Sequence, residues 1–171
     1  RKTPAQNWRS RQSYMPVSGY FSAREITPLD RFAIAFQADG HVRPLPASQQ
    51  ALFYLKRERK LERLRELLSE LQSYGFTYTE RPNTNKIKGG YYFNVNVPNK
   101  YSKYKTKFFD ELYTFDDIPN GFIEEISHWD GYKPKDTDTI YYSSKEKRNV
   151  EFVQTVAGLS GYFGHIFTQD D

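Results

Sequence analysis

Two aspartates stand directly before glycine in this chain, Asp39-Gly40 and Asp130-Gly131, and each closes an apolar segment. The first segment contains Phe32-Ala33-Ile34-Ala35-Phe36 and the second runs Phe122–Trp129. An apolar stretch ending on Asp-Gly reads as a buried helix with a carboxylate at its C-terminal end. The helix dipole is already negative there, so an acid is destabilised unless a cation sits beside it. The pattern therefore points to two carboxylates that hold something cationic. A lone Asp-Gly pair is common; its recurrence at the end of two matched helices gives it weight.

The basic residues suggest a phosphate-bearing partner. Lys86, Lys88, Lys100, Lys103, Lys105 and Lys107, interleaved with Tyr101 and Tyr104, suit phosphate contacts that position a protein without reading sequence. Lys56 and Lys145, at the strand-to-helix turns of the two copies, are further candidates. Asn94 and Asn96 alternate along one strand and have the amide chemistry that reads adenine edges. Arg57, Arg59, Lys60, Arg63 and Arg65 read as the polar face of an amphipathic helix. His41, His128 and His165 have no metal-ligand spacing, Gly89-Gly90 reads as a turn, and Ser143-Ser144 as a helix cap. With no cysteine, a disulfide framework, a thiol nucleophile and a cysteine zinc site are excluded.

The elements that must position these groups can be read from periodicity. Thr27-Pro28 with Asp30 is a helix start, and the helix Pro28–Ala38 is apolar almost all round. Strands are expected at Ala51–Leu55, Phe76–Thr79 and Tyr91–Val97, and a helix from Arg57 to Tyr74 with Leu61, Leu64, Leu67, Leu68 and Leu71 inward. Residues 99–117 read as a basic, Tyr-rich loop leading into a short helix near Thr106–Tyr113. The order then recurs: a helix Phe122–Trp129, a strand Thr139–Ser143, and a helix Lys145–Leu159 with Val150, Val153, Val156 and Leu159 inward. A final strand is expected to begin at Tyr162–Phe167. The expected fold is α+β, a duplicated αββαββ unit, with a basic lead-in at 1–26, a first half at 27–118 and a shorter second half at 119–171.

Phe32-Ala-Ile-Ala-Phe-Gln-Ala-Asp-Gly40 resembles the LAGLIDADG motif, and Ile123-Glu-Glu-Ile-Ser-His-Trp-Asp-Gly131 its more divergent second copy. The tract Ile140–Gln154 is similar to the segment after the second motif in intein-borne members. The resemblance covers residues 27–167 and implies a homing endonuclease of the two-motif, monomeric kind found in inteins. It implies a pseudo-two-fold pair of motif helices and antiparallel saddle sheets lying on double-stranded DNA. It also implies that Asp39 and Asp130 hold Mg²⁺ and hydrolyse phosphodiester bonds, with Lys86 or Lys88 assisting from the hairpin. Glu124, Glu125 and Trp129 depart from the small residues usual in the motif, which implies looser packing or another crossing angle. The second hairpin is not evident in the sequence, and neither are the terminal residues of a splicing element. A catalytically inactive DNA binder, an RNA maturase and a degenerate intein insert are the alternatives.

The net charge of +4 and pI of about 9.1 suit a polyanionic partner, and 14 Tyr with 13 Phe suit half-buried sheet. No apolar run approaches the roughly 20 residues that span a bilayer, and no signal peptide opens the chain. An intracellular setting, cytoplasmic or nucleoid-associated, is expected, as a monomer or complemented by the rest of a parent intein or host polypeptide.

Overall fold

A computed structural model describes residues 24–42, 50–84, 89–135, 137 and 139–166. The chain is α+β, with the order α1 (Pro28–Asp39), β1 (Gly40–Val42), β2 (Gln50–Leu55), α2 (Glu58–Leu71), β3 (Thr77–Pro82) and β4 (Tyr91–Asn96), and then α3 (Phe122–His128), β5 (Gly131–Tyr132), β6 (Tyr141–Tyr142) and α4 (Lys147–Leu159). A helix–strand–strand–helix order thus occurs twice. The two copies are unequal. The first builds an antiparallel sheet ordered β1-β2-β4-β3, whereas the second has two paired strands of two residues each.

Local chemistry fixes α1. Thr27 and Asp30 form a reciprocal capping box, and Pro28 opens the helix. Asp30 is buried and also accepts from Arg24 at 2.6 Å and from the Tyr113 hydroxyl at 3.0 Å. Burial pushes that hydroxyl far above the usual tyrosine range, aided by the adjacent Asp30 charge. Phe32 and Phe36 stack, and both meet Phe53 of β2 edge-on. Leu61, Leu64, Leu67, Leu68 and Leu71 of α2 are all buried in the same core.

The sheet alternates as a half-buried sheet must. Ala51, Phe53 and Leu55 of β2 with Phe93 and Val95 of β4 enter the core. The opposite face carries three cross-strand rows by register: Gln50–Asn96–Thr77, then His41–Leu52–Asn94–Thr79, then Tyr54–Tyr92–Arg81.

Several boundaries differ from those expected. The helix after β2 ends at Leu71 and tightens into a 3₁₀ turn over Gln72–Tyr74 before Gly75. The segment 99–117 contains three 3₁₀ turns, Asn99–Tyr104, Phe109–Glu111 and Phe115–Asp117, instead of one short helix. Phe152 and Asn149 join Val153 and Val156 on the buried side of α4, while Val150 and Leu159 are half-buried. Phe152 packs with Phe109, Phe115 and Phe122, and Asn149 bonds the backbone at Phe109 and Lys107, so aromatic bulk and a satisfied amide displace the valine stripe. Residues 162–166 form no strand. The lead-in is anchored at its end: Arg24 accepts from the Asn120 amide at 2.9 Å, and Glu25 bridges Asn120 in parallel.

The bulky residues of α3 are accommodated by pairing with each other. Glu125, 3% exposed, accepts from Trp129 Nε1 at 2.8 Å, from both Nε and a terminal nitrogen of Arg63, and has Arg31 at 3.4 Å. Burial alone would raise this carboxyl; the hydrogen bonds and the Arg63 and Arg31 charges hold it below its ordinary range. The contact joins α1, α2 and α3 through a buried ion pair.

Candidate metal and nucleic-acid site

Asp39 is the last residue of α1 and Asp130 follows α3, and both line one cleft of about 890 Å³. The glycine after each aspartate is there for space. A Cβ on Gly40 would lie 2.8 Å from Phe36 Cα and from its carbonyl oxygen, and one on Gly131 would overlap Ser127 Cα. In both copies the clash is with the residue four positions back. The chain leaves each helix so tightly that only glycine passes, and this turn aims the preceding carboxylate into the cleft.

Two lysines from distant segments complete the floor. Lys60, in the first turn of α2, donates to Asp39 Oδ2 at 2.5 Å and to Asp130 Oδ1 at 3.4 Å, and its side chain is 9% exposed. Lys107 donates to the carbonyls of Phe36 and Gln37 at 2.9 and 2.8 Å, capping the C-terminal end of α1 with positive charge. The cations that an acid at this helix end requires are thus both supplied from within the chain. Burial raises the Asp130 carboxyl, opposed by Lys60 and reinforced by the Asp39 charge. Burial lowers the Lys107 ammonium, opposed by the charges of Asp130 and Asp39. Tyr142 reaches Gln37 Oε1 at 3.4 Å, and burial pushes its hydroxyl up to about 12.

Of the basic residues singled out by sequence, Lys56 and Lys145 line the same cleft, with Arg57 beside them. Tyr54 also lines it, stacked on Tyr92 at 4.7 Å, with Arg81 over Tyr92 at 5.5 Å and Lys56 over Tyr54 at 5.7 Å. The outer face of the sheet therefore runs into the cleft through an aromatic and cationic row. Asn94 and Asn96 lie on that face, farther out. Asn96 accepts from Gln50 and donates to Thr77, both at 3.0 Å, and Asn94 donates to Thr79 at 3.5 Å.

Other predicted residues are placed elsewhere. Lys86 and Lys88 lie outside the described residues, although Asn83 and Gly89, on either side of them in sequence, bond the cleft-lining Tyr54 hydroxyl. Lys100 and Lys103 sit over Tyr101 and Tyr104, and Lys105 is half-buried. Lys103 borders a separate hollow with Arg24, Asp30 and Tyr113, at the N-terminal end of α1. Asp30 is nine residues before Asp39 on α1, which puts that hollow about 14 Å along the axis from Asp39.

The sequence places Lys60 on the polar face of an amphipathic helix and Lys107 among the phosphate contacts; instead Lys60 faces the two aspartates and Lys107 the end of α1. A signal for Lys60 was present: positions 60, 64, 67 and 71 follow the i, i+4, i+7, i+11 stripe of the buried leucines. A lysine on an apolar stripe needs a partner. Nothing separates Lys107 from its neighbours in a lysine-rich tract, because its role depends on where the chain crosses α1.

The chain is 34% identical over 149 aligned residues to the ribonucleoside-diphosphate reductase subunit beta of Aquifex aeolicus (strain VF5). The match takes in 80% of this chain and 21% of that protein, so the chain spans about a fifth of the length of the curated relative it matches. No protein-family model matches the chain, and no solved structure matches it. Among the described residues, no group of three or more His, Cys, Asp or Glu converges as a metal site, and no helix is long and apolar enough to cross a membrane.

Proposed function

We propose that this chain is a LAGLIDADG-type DNA endonuclease domain, carried as an insertion element within a longer host polypeptide, that hydrolyses phosphodiester bonds at Asp39 and Asp130. The observation that carries the reading is the convergence of the two aspartates on one ammonium group. That ammonium is a stand-in cation: carboxylate oxygens from two helix ends already reach a single positive centre. Two carboxylates leave most of a coordination sphere to water and phosphate oxygen, which is the donor set that Mg²⁺ accepts.

The residues fit such an ion, with Asp39 and Asp130 as its protein ligands. When bound, it would polarise a phosphodiester oxygen and acidify water beside it. The chain's own groups do the rest. Lys56, Arg57 and Lys145 at the cleft, with Arg81 on the adjoining face, neutralise backbone phosphates and set the register of the duplex. Lys107 fixes the end of α1, and so the Asp39 carboxylate. The amide and hydroxyl rows outward from the cleft present donors and acceptors of the kind that read base edges. The match to about a fifth of a reductase subunit is what an in-frame insertion element would give.

The test is nicking of supercoiled plasmid bearing the uninterrupted reductase-subunit coding sequence, with and without Mg²⁺. Asp39→Asn and Asp130→Asn are each expected to lower cleavage by at least about a hundredfold while duplex binding persists. Equal Mg²⁺-independent behaviour of wild type and both variants would overturn the catalytic reading. A second reading, a DNA binder without cleavage, is favoured by the small β5–β6 sheet of the second copy. It predicts salt-sensitive duplex binding with no nicked product.

A further inference from the structure

The two lysines on the floor of the cleft, Lys60 and Lys107, engage different atoms. Lys107 bonds main-chain carbonyls of α1, a role that a bound metal would leave intact. Lys60 instead bonds the carboxylates of Asp39 and Asp130, the same groups a shared divalent ion would take. An ammonium nitrogen 2.5 Å from Asp39 Oδ2 and 3.4 Å from Asp130 Oδ1 fills the space between the carboxylates that an ion bridging them at about 2.0–2.6 Å would need, and two cations that close repel. One positive charge also leaves the carboxylate pair with an excess negative charge, which a divalent ion would neutralise. The lysine stem is unbranched and flexible, and it opens onto a cleft large enough to receive the displaced head group.

We infer that Lys60 is a built-in occupant of the inter-carboxylate seat, and that a divalent cation binds by expelling its ammonium into the cleft. This rests on the two-carboxylate metal reading above. Without metal, Lys60 holds Asp39 and Asp130 together against their mutual repulsion, so the helix ends stay preorganised. With metal, the freed ammonium becomes an additional cation facing bound phosphate. No covalent bond is made or broken.

The experiment uses Mn²⁺ as the probe, without DNA. Free Mn²⁺ is counted by electron paramagnetic resonance, and amine labelling of each lysine is read by mass spectrometry. Labelling of Lys60 is expected to rise several-fold as Mn²⁺ saturates, with Lys107 unchanged, and Asp39→Asn should abolish the rise. Lys60→Met is expected to bind Mn²⁺ on the order of tenfold more tightly, because the competing charge is gone. Its unfolding midpoint should fall in chelator and recover with Mn²⁺. If Mn²⁺ binds wild type while Lys60 labelling stays constant or falls, the metal site stands and the displacement is overturned. If neither wild type nor Lys60→Met binds Mn²⁺, the metal reading falls with it. The labelling arm needs only the wild-type chain, so poor folding of the variant leaves the test intact.

Discussion

At the scale of single residues, the two lysines on the cleft floor have separate tasks. Lys60 serves the carboxylates, while Lys107 serves the backbone of α1 at Phe36 and Gln37. Removing Lys107 would take a charged donor from the carbonyls of Gln37 and Phe36, the latter keeping only the Gly40 amide, beside two acids at the same helix end. Lys107→Met is expected to cost about 1.5–3 kcal/mol of stability, the range for hydrogen bonds that involve a charged group. Chemical denaturation would measure it. The same variant should lower cleavage more than it lowers duplex binding, because it releases the turn that aims Asp39 and leaves the phosphate-facing cations in place. An equal loss in both would place Lys107 among the DNA contacts.

At the scale of elements, the helix ends and the α3 latch govern whether the two carboxylates meet. Gly40→Ala forces a methyl group against the Phe36 backbone, where neither side can yield. A loss of about 1–3 kcal/mol follows from overpacking, measurable as a lower denaturation midpoint. Gly161→Ala would be a poor control, because its φ of 84° strains any side chain; Gly158, with open space around its Cβ and no positive φ, is the better one. Glu125 gives a pH signature. Its carboxyl is depressed below the ordinary 4.5, so its contribution is complete above that value and is lost as pH falls through the depressed one. Glu125→Gln should therefore be less stable than wild type at neutral pH, and the gap should close as pH falls below the ordinary 4.5 and through the depressed value. Thermal melts from pH 7 to 3 would show the two curves converging. A gap that widens in acid would contradict the pairing.

At the scale of the whole molecule, charge placement matters more than the net value. Lys56 and Lys145 line the cleft, and Lys103 lies by the opposite end of α1. If the cleft and the adjoining sheet face contact duplex DNA, Lys56→Ala and Lys145→Ala should each reduce the slope of log affinity against log salt by about 1. Lys103→Ala should leave it unchanged. A fluorescence-anisotropy titration across salt concentrations decides between them.

Much of this was legible from local signals. Thr27-Pro28 with Asp30 determines where α1 begins, the leucine stripe determines α2, and period-two alternation determines β2 and β4; each depends on neighbours within a few residues. The recurrence of Asp-Gly after an apolar helix likewise marked Asp39 and Asp130, because glycine at that point answers a clash four residues back in the same chain. The strand expected at 139–143 contains β6, but its pairing with β5 over only two residues, the three 3₁₀ turns of 99–117 and the inward turn of Phe152 were not legible, since they follow from packing between segments far apart in sequence. The same holds for the two carboxylates. By itself the sequence determined that each aspartate ends a buried helix and wants a cation. Only the tertiary structure decided that both want the same one, and that Lys60 supplies it, because that meeting depends on where α1, α2 and α3 come together.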